Sequence, residues 1–427
     1  MMETENQSNQ PEKQRGYFFS GLVIGILAAV LIVSAVYLGF KVQGYLDREA
    51  GDAGGEGVTV QKTDDESDSL VDQKTIDKLE RLEYIIRRFY YKDDEISDED
   101  LIEGAYYGML EALGDPYSTY YSPEELASLM EQTEGIYYGI GAYVSLDTTT
   151  NYPKIVSAIP GTPAEEANLR SDDIIYEVDG VSTYDMSLDS VVAMIKGEEG
   201  TKVTLTIYRA GEPDYLHVDV ERRRVESPTV SMEMLEDGMA YIQITEFDEV
   251  TVDQFADALA TARGSGMKGL ILDLRANPGG SLSSVVDIAQ MLLPKGLIVY
   301  TEDKYGSRDE YRCDGKREFD QPMVVLVDGN SASAAEILAG SIQDYGLGTL
   351  VGTTTFGKGI VQQIITLSDG SAVKVTVSSY YTPNGRNIHG IGIEPDVVCQ
   401  FDADAYYDED YDNQLERAKE VLREMLK

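Results

Sequence analysis

Two short segments of this chain are apolar almost without interruption: Gly269-Leu270-Ile271-Leu272-Asp273-Leu274 and Met323-Val324-Val325-Leu326-Val327. A strand with one solvated face alternates apolar and polar residues, so runs like these belong to strands covered on both sides, as in a sheet layered by helices. Each run leads into a polar loop and then into a helical pattern, over residues 284–293 and 333–345. Strand-to-helix loops of this kind are where α/β architectures place their chemistry. Farther on, Val373, Val375 and Val377 alternate with Lys374 and Thr376, the signature of a half-exposed strand. The expectation is a mixed α/β core over residues 224–398.

The rest of the chain divides by composition. Residues 17–40 carry no charge, and at 1.5 Å per residue they are long enough to cross a bilayer core of about 30 Å. Lys13 and Arg15 precede this run and acidic sequence follows Lys41, so residues 1–16 are expected in the cytoplasm and the body outside it, with the helix uncleaved. Residues 41–74 are rich in Gly, Asp, Glu and Ser and are expected to form a flexible tether. Ile76, Leu79, Leu82, Ile85, Ile86 and Phe89 recur at helical spacing and open a helical region over 75–134; Leu101 to Leu113 forms its second helix, closed by Gly114-Asp115-Pro116. Leu415, Ala418, Leu422 and Met425 mark a helix in the acidic C-terminal segment 399–427. Both stripes are expected to be core faces first and a homodimer interface second.

The chain has 427 residues and a formal net charge of −41, which repels nucleic acid and anionic membrane surfaces from the folded part. Acidic tracts such as Asp408-Glu409-Asp410 lack any regular ligand spacing, so no metal is expected. Cys313 and Cys399 are the only cysteines; outside the cytosol they could pair, but spacing alone does not decide it.

Residues 135–223 have the order of a small β-rich module: Tyr138-Gly139-Ile140-Gly141-Ala142, a turn and short helix from Gly161 to Leu169, a strand and turn from Asp173 to Gly180, a helix from Leu188 to Ile195, and an alternating strand from Lys202 to Tyr208. This order resembles a PDZ domain. The resemblance implies that the Tyr138, Gly139, Ile140, Gly141 loop presents N–H groups to a peptide's terminal carboxylate, with the helix of Val191 and Met194 as the other wall. Asn168 stands where that family usually has glycine; asparagine tolerates the left-handed conformation such a turn needs.

Three motifs carry chemistry. Ser333 begins a helix directly after a buried strand, so the Ala334 N–H is among the unpaired donors of the first turn and can face an oxyanion. Ser333-Ala334-Ala335-Glu336 equally fits a capping box, and Ser331 is a competing nucleophile or cap. Twenty-five residues on, Gly357-Lys358-Gly359 runs into Ile360-Val361-Gln362. If the chain is extended from 358, Lys358, Ile360 and Gln362 share a face, Gln362 can orient the amine, and Phe356, Ile360 and Val361 desolvate it toward a usable base. A surface lysine in a glycine loop is the alternative. Asp273-Leu274-Arg275-Ala276-Asn277-Pro278-Gly279-Gly280 ends in a pair of glycines able to turn bare N–H groups toward a substrate carbonyl. The only histidines, His217 and His389, sit in an alternating strand and a glycine-rich turn, which makes a Ser-His-Asp triad the weaker reading.

Taken in order, these motifs resemble those of the carboxyl-terminal processing peptidases, the S41-type serine proteases with an embedded PDZ domain, over roughly residues 75–427. The resemblance implies a crotonase- or ClpP-like core. It also implies Ser333 as nucleophile, Lys358 as general base, Gln362 as its orienting partner, and an oxyanion hole from Ala334 N–H and a glycine N–H at Gly279 or Gly280. No metal or organic cofactor is implied, and the partners are protein or peptide substrates with unstructured C-termini. Two rivals remain at this point: a PDZ scaffold with an inactive core, which the intact Ser333, Lys358 and Gln362 oppose, and an acyl-CoA enzyme of the crotonase class, which the export signal and the Ser-Lys pair oppose.

Overall fold

A computed structural model describes residues 70–147, 149–316 and 319–427. These form two compact units, one from the residues up to Leu129 together with Gly269–Lys427, the other from Met130–Lys268. The expected membrane helix lies outside the described residues, as does the tether apart from its last few. Among the described residues no helix is long and apolar enough to cross a membrane.

The N-terminal helices start where side chains satisfy their first N–H groups. Asp72 accepts from Thr75 N–H at 2.7 Å to begin α1 (Gln73–Phe89), and a Ser97/Asp100 capping box begins α2 (Asp98–Glu111). The stripe on α1 is not a core face: Leu79, Leu82 and Phe89 are exposed and no residue of the helix is buried. Periodicity identifies an apolar face but not what covers it, and here no described part of the chain does. Gly114-Asp115-Pro116 turns the chain into β1 (Thr119–Tyr121), followed by α3 (Pro123–Glu134).

In the second unit, β2 (Ile136–Gly139) precedes β3 (Ala142–Asp147), β4 (Tyr152–Ala158), α4 (Pro163–Glu166), β5 (Ile174–Val178), β6 (Val181–Ser182), α5 (Leu188–Ile195), β7 (Lys202–Tyr208), β8 (Leu216–Glu221) and β9 (Arg223–Glu226). An antiparallel sheet runs β3-β4-β5-β7-β8, with β6 hairpinned onto β5. Its core is Ile155, Ile175, Val203, Leu205 and Ile207, the inward set of alternating strands. β2 and β9 pair with each other, Ile136 opposite Glu226, so the chain enters and leaves this module side by side. Asn168 holds the left-handed turn at φ 58°, as expected. Buried Arg222 caps α5, donating to Met194 O at 2.9 Å and Ile195 O at 2.8 Å, carbonyls that a helix end leaves unpaired. A hairpin of β10 (Val230–Met234) and β11 (Met239–Ile244) follows, with α6 (Glu249–Gly264) packed on it.

The first unit continues with β12 (Gly269–Asp273), α7 (Leu282–Ala289), β13 (Gly296–Asp303), β14 (Arg308–Cys313), β15 (Met323–Val327), α8 (Ala334–Asp344), β16 (Gly348–Gly352), β17 (Ile360–Thr366), β18 (Ala372–Tyr381), β19 (Val397–Val398), α9 (Ala403–Glu409) and α10 (Asn413–Met425). Strands β12, β15, β16 and β19 are parallel neighbours in that order. Every residue of β12 and β15 is buried, which is what their unbroken apolar patterns demand. α10 lies on this sheet through Ala418 and Leu422, which form a core face as expected, while Leu415 of the same stripe is half-buried and Met425 is exposed. A second, antiparallel sheet is organised on β18, which pairs with β17, β1 and β13, while β14 pairs with β13. α8 touches β13 of one sheet and β16 of the other, and its residues from Ala334 to Ile342 are all buried. Cys313 and Cys399 are both free thiols.

Candidate active site

The loop between β15 and α8 is built around Asp328, whose Oδ1 accepts from the N–H groups of Asn330 and Ser331, each at 3.0 Å, and of Ala276 at 2.9 Å. Fully buried Ser331 donates its hydroxyl to Leu274 O at 2.7 Å and accepts from Asp328 N–H at 2.9 Å. Of the two candidate serines, Ser331 is thus a fastener between the loops after β12 and β15. Ser333 is different. Its backbone sits at φ 54°, ψ −114°, a conformation costly for any residue with a Cβ, at the point where the strand connection becomes a helix. That is the sharp turn on which hydrolases expose a nucleophilic serine.

The glycine loop after β12 closes on this turn. A Cβ on Gly279 would stand 2.7 Å from Ser333 Cβ and 2.9 Å from Ala334 N, so only glycine permits the approach. The Gly279 N–H is donated to Asn277 Oδ1 at 2.8 Å, and the Ala332 N–H to Asn277 O at 2.9 Å. Asp273 and Arg275 have a structural task. Arg275 donates to fully buried Asp273 and, from both terminal nitrogens, to Asp412 at 3.0 and 2.8 Å, fastening the loop to the start of α10.

Lys358 is buried, not a surface lysine. The backbone of residues 388–392 packs on both flanking glycines: a Cβ on Gly357 would lie 2.8 Å from Gly392 N, and one on Gly359 2.7 Å from His389 N. The key contact is to Glu336. The Ser333 to Glu336 capping box forms, with Glu336 Oε2 accepting from Ser333 N–H at 2.9 Å. The same Oε2 accepts from Lys358 N–H at 2.9 Å, while Oε1 accepts from Gly357 N–H at 2.7 Å and Thr355 Oγ1 at 2.6 Å. One buried carboxylate therefore positions the backbones of Ser333 and Lys358 together. Burial pushes the Glu336 carboxyl upward, and these donors pull against that shift. For Lys358, burial and the like charge of Lys374 push the amine from 10.5 down to about 8, against the opposing pull of Glu336 and Asp115.

Strand β17 begins at Ile360, just after Lys358, and its register on β18 skips Val377 between Val361 and Gln362, so the extra residue of the bulge belongs to β18. Buried Gln362 donates its amide to Thr376 Oγ1 at 3.2 Å. One sequence expectation needs correction here: Phe356 is exposed, and the ring that lies 4.8 Å from Lys358 Nζ is that of Tyr117, from the turn after α2. Tyr117, Asp115 and the second role of Glu336 were not read from the sequence. Only the short spacing of Glu336 from Ser333 hinted at any of them. His217 is exposed on β8 with Nδ1 3.2 Å from Thr206 Oγ1, and the His389 side chain is exposed in its turn.

In the second unit, Tyr138 and Gly139 end β2, and Ile140 and Gly141 lead into β3. Their carbonyls are tied down: Ile140 O accepts from Ala164 N–H at 2.7 Å and Gly141 O from Ile159 N–H at 2.9 Å. β3 ends its sheet, and α5 packs beside it. Val191 is fully buried in the core of the module, Ile140 is buried with it, and Met194 is half-buried.

Comparison with known proteins gives three matches by family. The model of Peptidase family S41 matches residues 238–399, that of the PDZ domain 154–209, and that of the activating protease CtpB N-terminal domain 31–125. The carboxyl-terminal-processing protease of Synechocystis sp. is 38% identical over 296 residues, 68% of this chain and 69% of that one. The carboxy-terminal processing protease CtpA of Bacillus subtilis is 38% identical over 325 residues, 76% of this chain and 69% of that one. Among solved structures, the photosystem II D1 C-terminal processing protease is 31% identical over 75% of this chain and 86% of that one, with a TM-score of 0.44.

Proposed function

This chain belongs to the carboxyl-terminal processing proteases, serine-type peptidases of family S41, and from that premise we propose a Ser333–Lys358 dyad that cuts the C-terminal tails of exported proteins through an acyl-enzyme. The observation that carries the assignment is the Glu336 carboxylate, which accepts the N–H of both Ser333 and Lys358 at 2.9 Å. The neutral Lys358 amine takes the Ser333 Oγ proton as Oγ bonds to the scissile carbonyl carbon. The lysine then gives that proton to the leaving amine as the C–N bond breaks. In the second half the same amine deprotonates a water whose oxygen bonds to the acyl carbon, the C–Oγ bond breaks, and the lysine returns the proton to Ser333 Oγ as the acyl group leaves as a carboxylic acid. Ala334 N–H is one oxyanion donor; because Gly279 N–H is held by Asn277, Gly280 is assigned the second. Gln362 orients the lysine amine.

The β-rich module is assigned to tail recognition. An edge strand presents unpaired backbone groups, so an extended peptide adds beside β3 along α5, with its carboxylate at the Tyr138–Gly141 turn. The test is cleavage of an unstructured peptide with a free or an amidated C-terminus: the free form is expected to turn over faster at subsaturating concentration, and equal rates sink the assignment.

We further assign residues 17–40 as a membrane anchor with the body on the extracytoplasmic side, on the uncharged run and its flanking charges. Protease shaving of intact cells is expected to remove the body; digestion only after lysis reverses the topology. The uncovered stripe on α1 supports pairing with a second copy.

A further inference from the structure

We infer that Asp115 is a positioning residue of the catalytic centre: its carboxylate fixes the Thr376 hydroxyl, and through it the Gln362 amide, while supplying negative charge beside two buried lysines. The inference rests on the Ser333–Lys358 reading and extends it to a turn far from either residue in sequence. Asp115 accepts from Thr376 Oγ1 and Ser118 Oγ, each at 2.6 Å, and from Tyr117 N–H at 3.0 Å. Thr376 Oγ1 accepts from Gln362 Nε2 at 3.2 Å.

The direction of this chain follows from donor arithmetic. An ionised carboxylate only accepts, so the single Thr376 hydroxyl proton points at Asp115, leaving that oxygen as an acceptor toward Gln362. The Gln362 amide must then turn its NH2 to Thr376, which frees its carbonyl oxygen for the Lys358 amine. Without an anion at 115 the hydroxyl is free to rotate and the amide to flip. Burial pushes Asp115 up, but the Ser118, Thr376 and Tyr117 donors outweigh it and hold the carboxyl below its usual range, so it is ionised at neutral pH.

Charge is the second part. Facing Lys358 are Glu336 of α8, Lys374 of β18, and Asp115 and Tyr117 of the turn before β1. Glu336 and Asp115 hold the amine's proton affinity up; burial and Lys374 hold it down. Lys374 is itself buried and donates to Tyr121 OH at 2.8 Å; burial pushes its amine down to about 8, and Asp115 pulls the other way. Asp115→Asn removes the charge while keeping an acceptor; Thr376→Val removes the link while keeping the charge.

The experiment is the pH profile of kcat/KM, with kcat and KM separated, for the full chain and its variants on an unstructured peptide. Asp115→Asn is expected to move the acid limb to lower pH, because the lysine loses its proton more easily, and Asp115→Glu to restore it. Thr376→Val is expected to lower kcat about tenfold or more at unchanged KM and unchanged limb. A limb unmoved by Asp115→Asn, or a wild-type kcat in Thr376→Val, overturns the proposal. If Lys358→Ala also keeps its rate, the dyad itself has failed; if Lys358→Ala is inactive, only the Asp115 assignment falls.

Discussion

Ser333→Ala and Lys358→Ala are each expected to lower cleavage by about a thousandfold or more, since members of one catalytic unit fail together, while both variants still fold. The folded state should survive because Glu336 binds the backbone N–H groups of Ser333 and Lys358, which alanine retains. Lys358 is moreover a buried amine with Lys374 as a like-charged neighbour, so Lys358→Met is expected to unfold at the same temperature as wild type or higher. Peptide cleavage, labelling by a serine-directed phosphonate and thermal unfolding read the three quantities separately. The pH dependence follows from the same burial. Below about 8 the amine of the free enzyme carries its proton and has no lone pair, so kcat/KM should rise with pH through that value rather than through 10.5. Ser331→Ala leaves the nucleophile in place and is expected to lose stability rather than chemistry, because Leu274 O and Asp328 N–H lose their partner. A Lys358→Ala enzyme at wild-type rate, with His217→Ala inactive, would return the base to histidine.

What was legible in the sequence was whatever a local pattern determines. The apolar runs of β12 and β15 required two covered faces and have them, and α5 and β7 occupy the residues that periodicity assigned. The motifs around Gly279, Ser333 and Lys358 were visible as spacing, although their meeting was not. What stayed hidden was set by contacts across the fold. Asp115 and Thr376 are 261 residues apart and touch only because β1 pairs with β18, an antiparallel register that no local pattern encodes. The extra residue of β18, Val377, was invisible for a related reason: a register shift is a property of two paired strands, and no local pattern in either one encodes it. The α1 stripe was read correctly as an apolar face, but the described residues do not cover it as a core would. Glu336 was read as a helix cap, which it is, but four side-chain and backbone donors converge on it and only one belongs to the cap.

That convergence makes Glu336→Gln a sharper experiment than Glu336→Ala. Each carboxylate oxygen accepts two hydrogen bonds, Oε1 from Gly357 N–H and Thr355 Oγ1, Oε2 from Ser333 N–H and Lys358 N–H. Alanine leaves all of these donors in a site closed to water, at about 1–3 kcal/mol for each buried group without a partner. Glutamine keeps the shape but replaces one oxygen with an NH2, which must face two donors whichever way the amide is turned. Thr355 can rotate its proton only at the expense of the Ile393 N–H that its own oxygen accepts at 2.7 Å. The expected result is that glutamine rescues little: both variants lose about 3 kcal/mol or more of stability and about a hundredfold or more in kcat, because the turns bearing Ser333 and Lys358 no longer share an anchor. Denaturant unfolding with single-turnover cleavage separates the two losses. A Glu336→Gln enzyme with wild-type stability and kcat would mean that the carboxylate's charge is unnecessary and that the nucleophile and base are held together by something else.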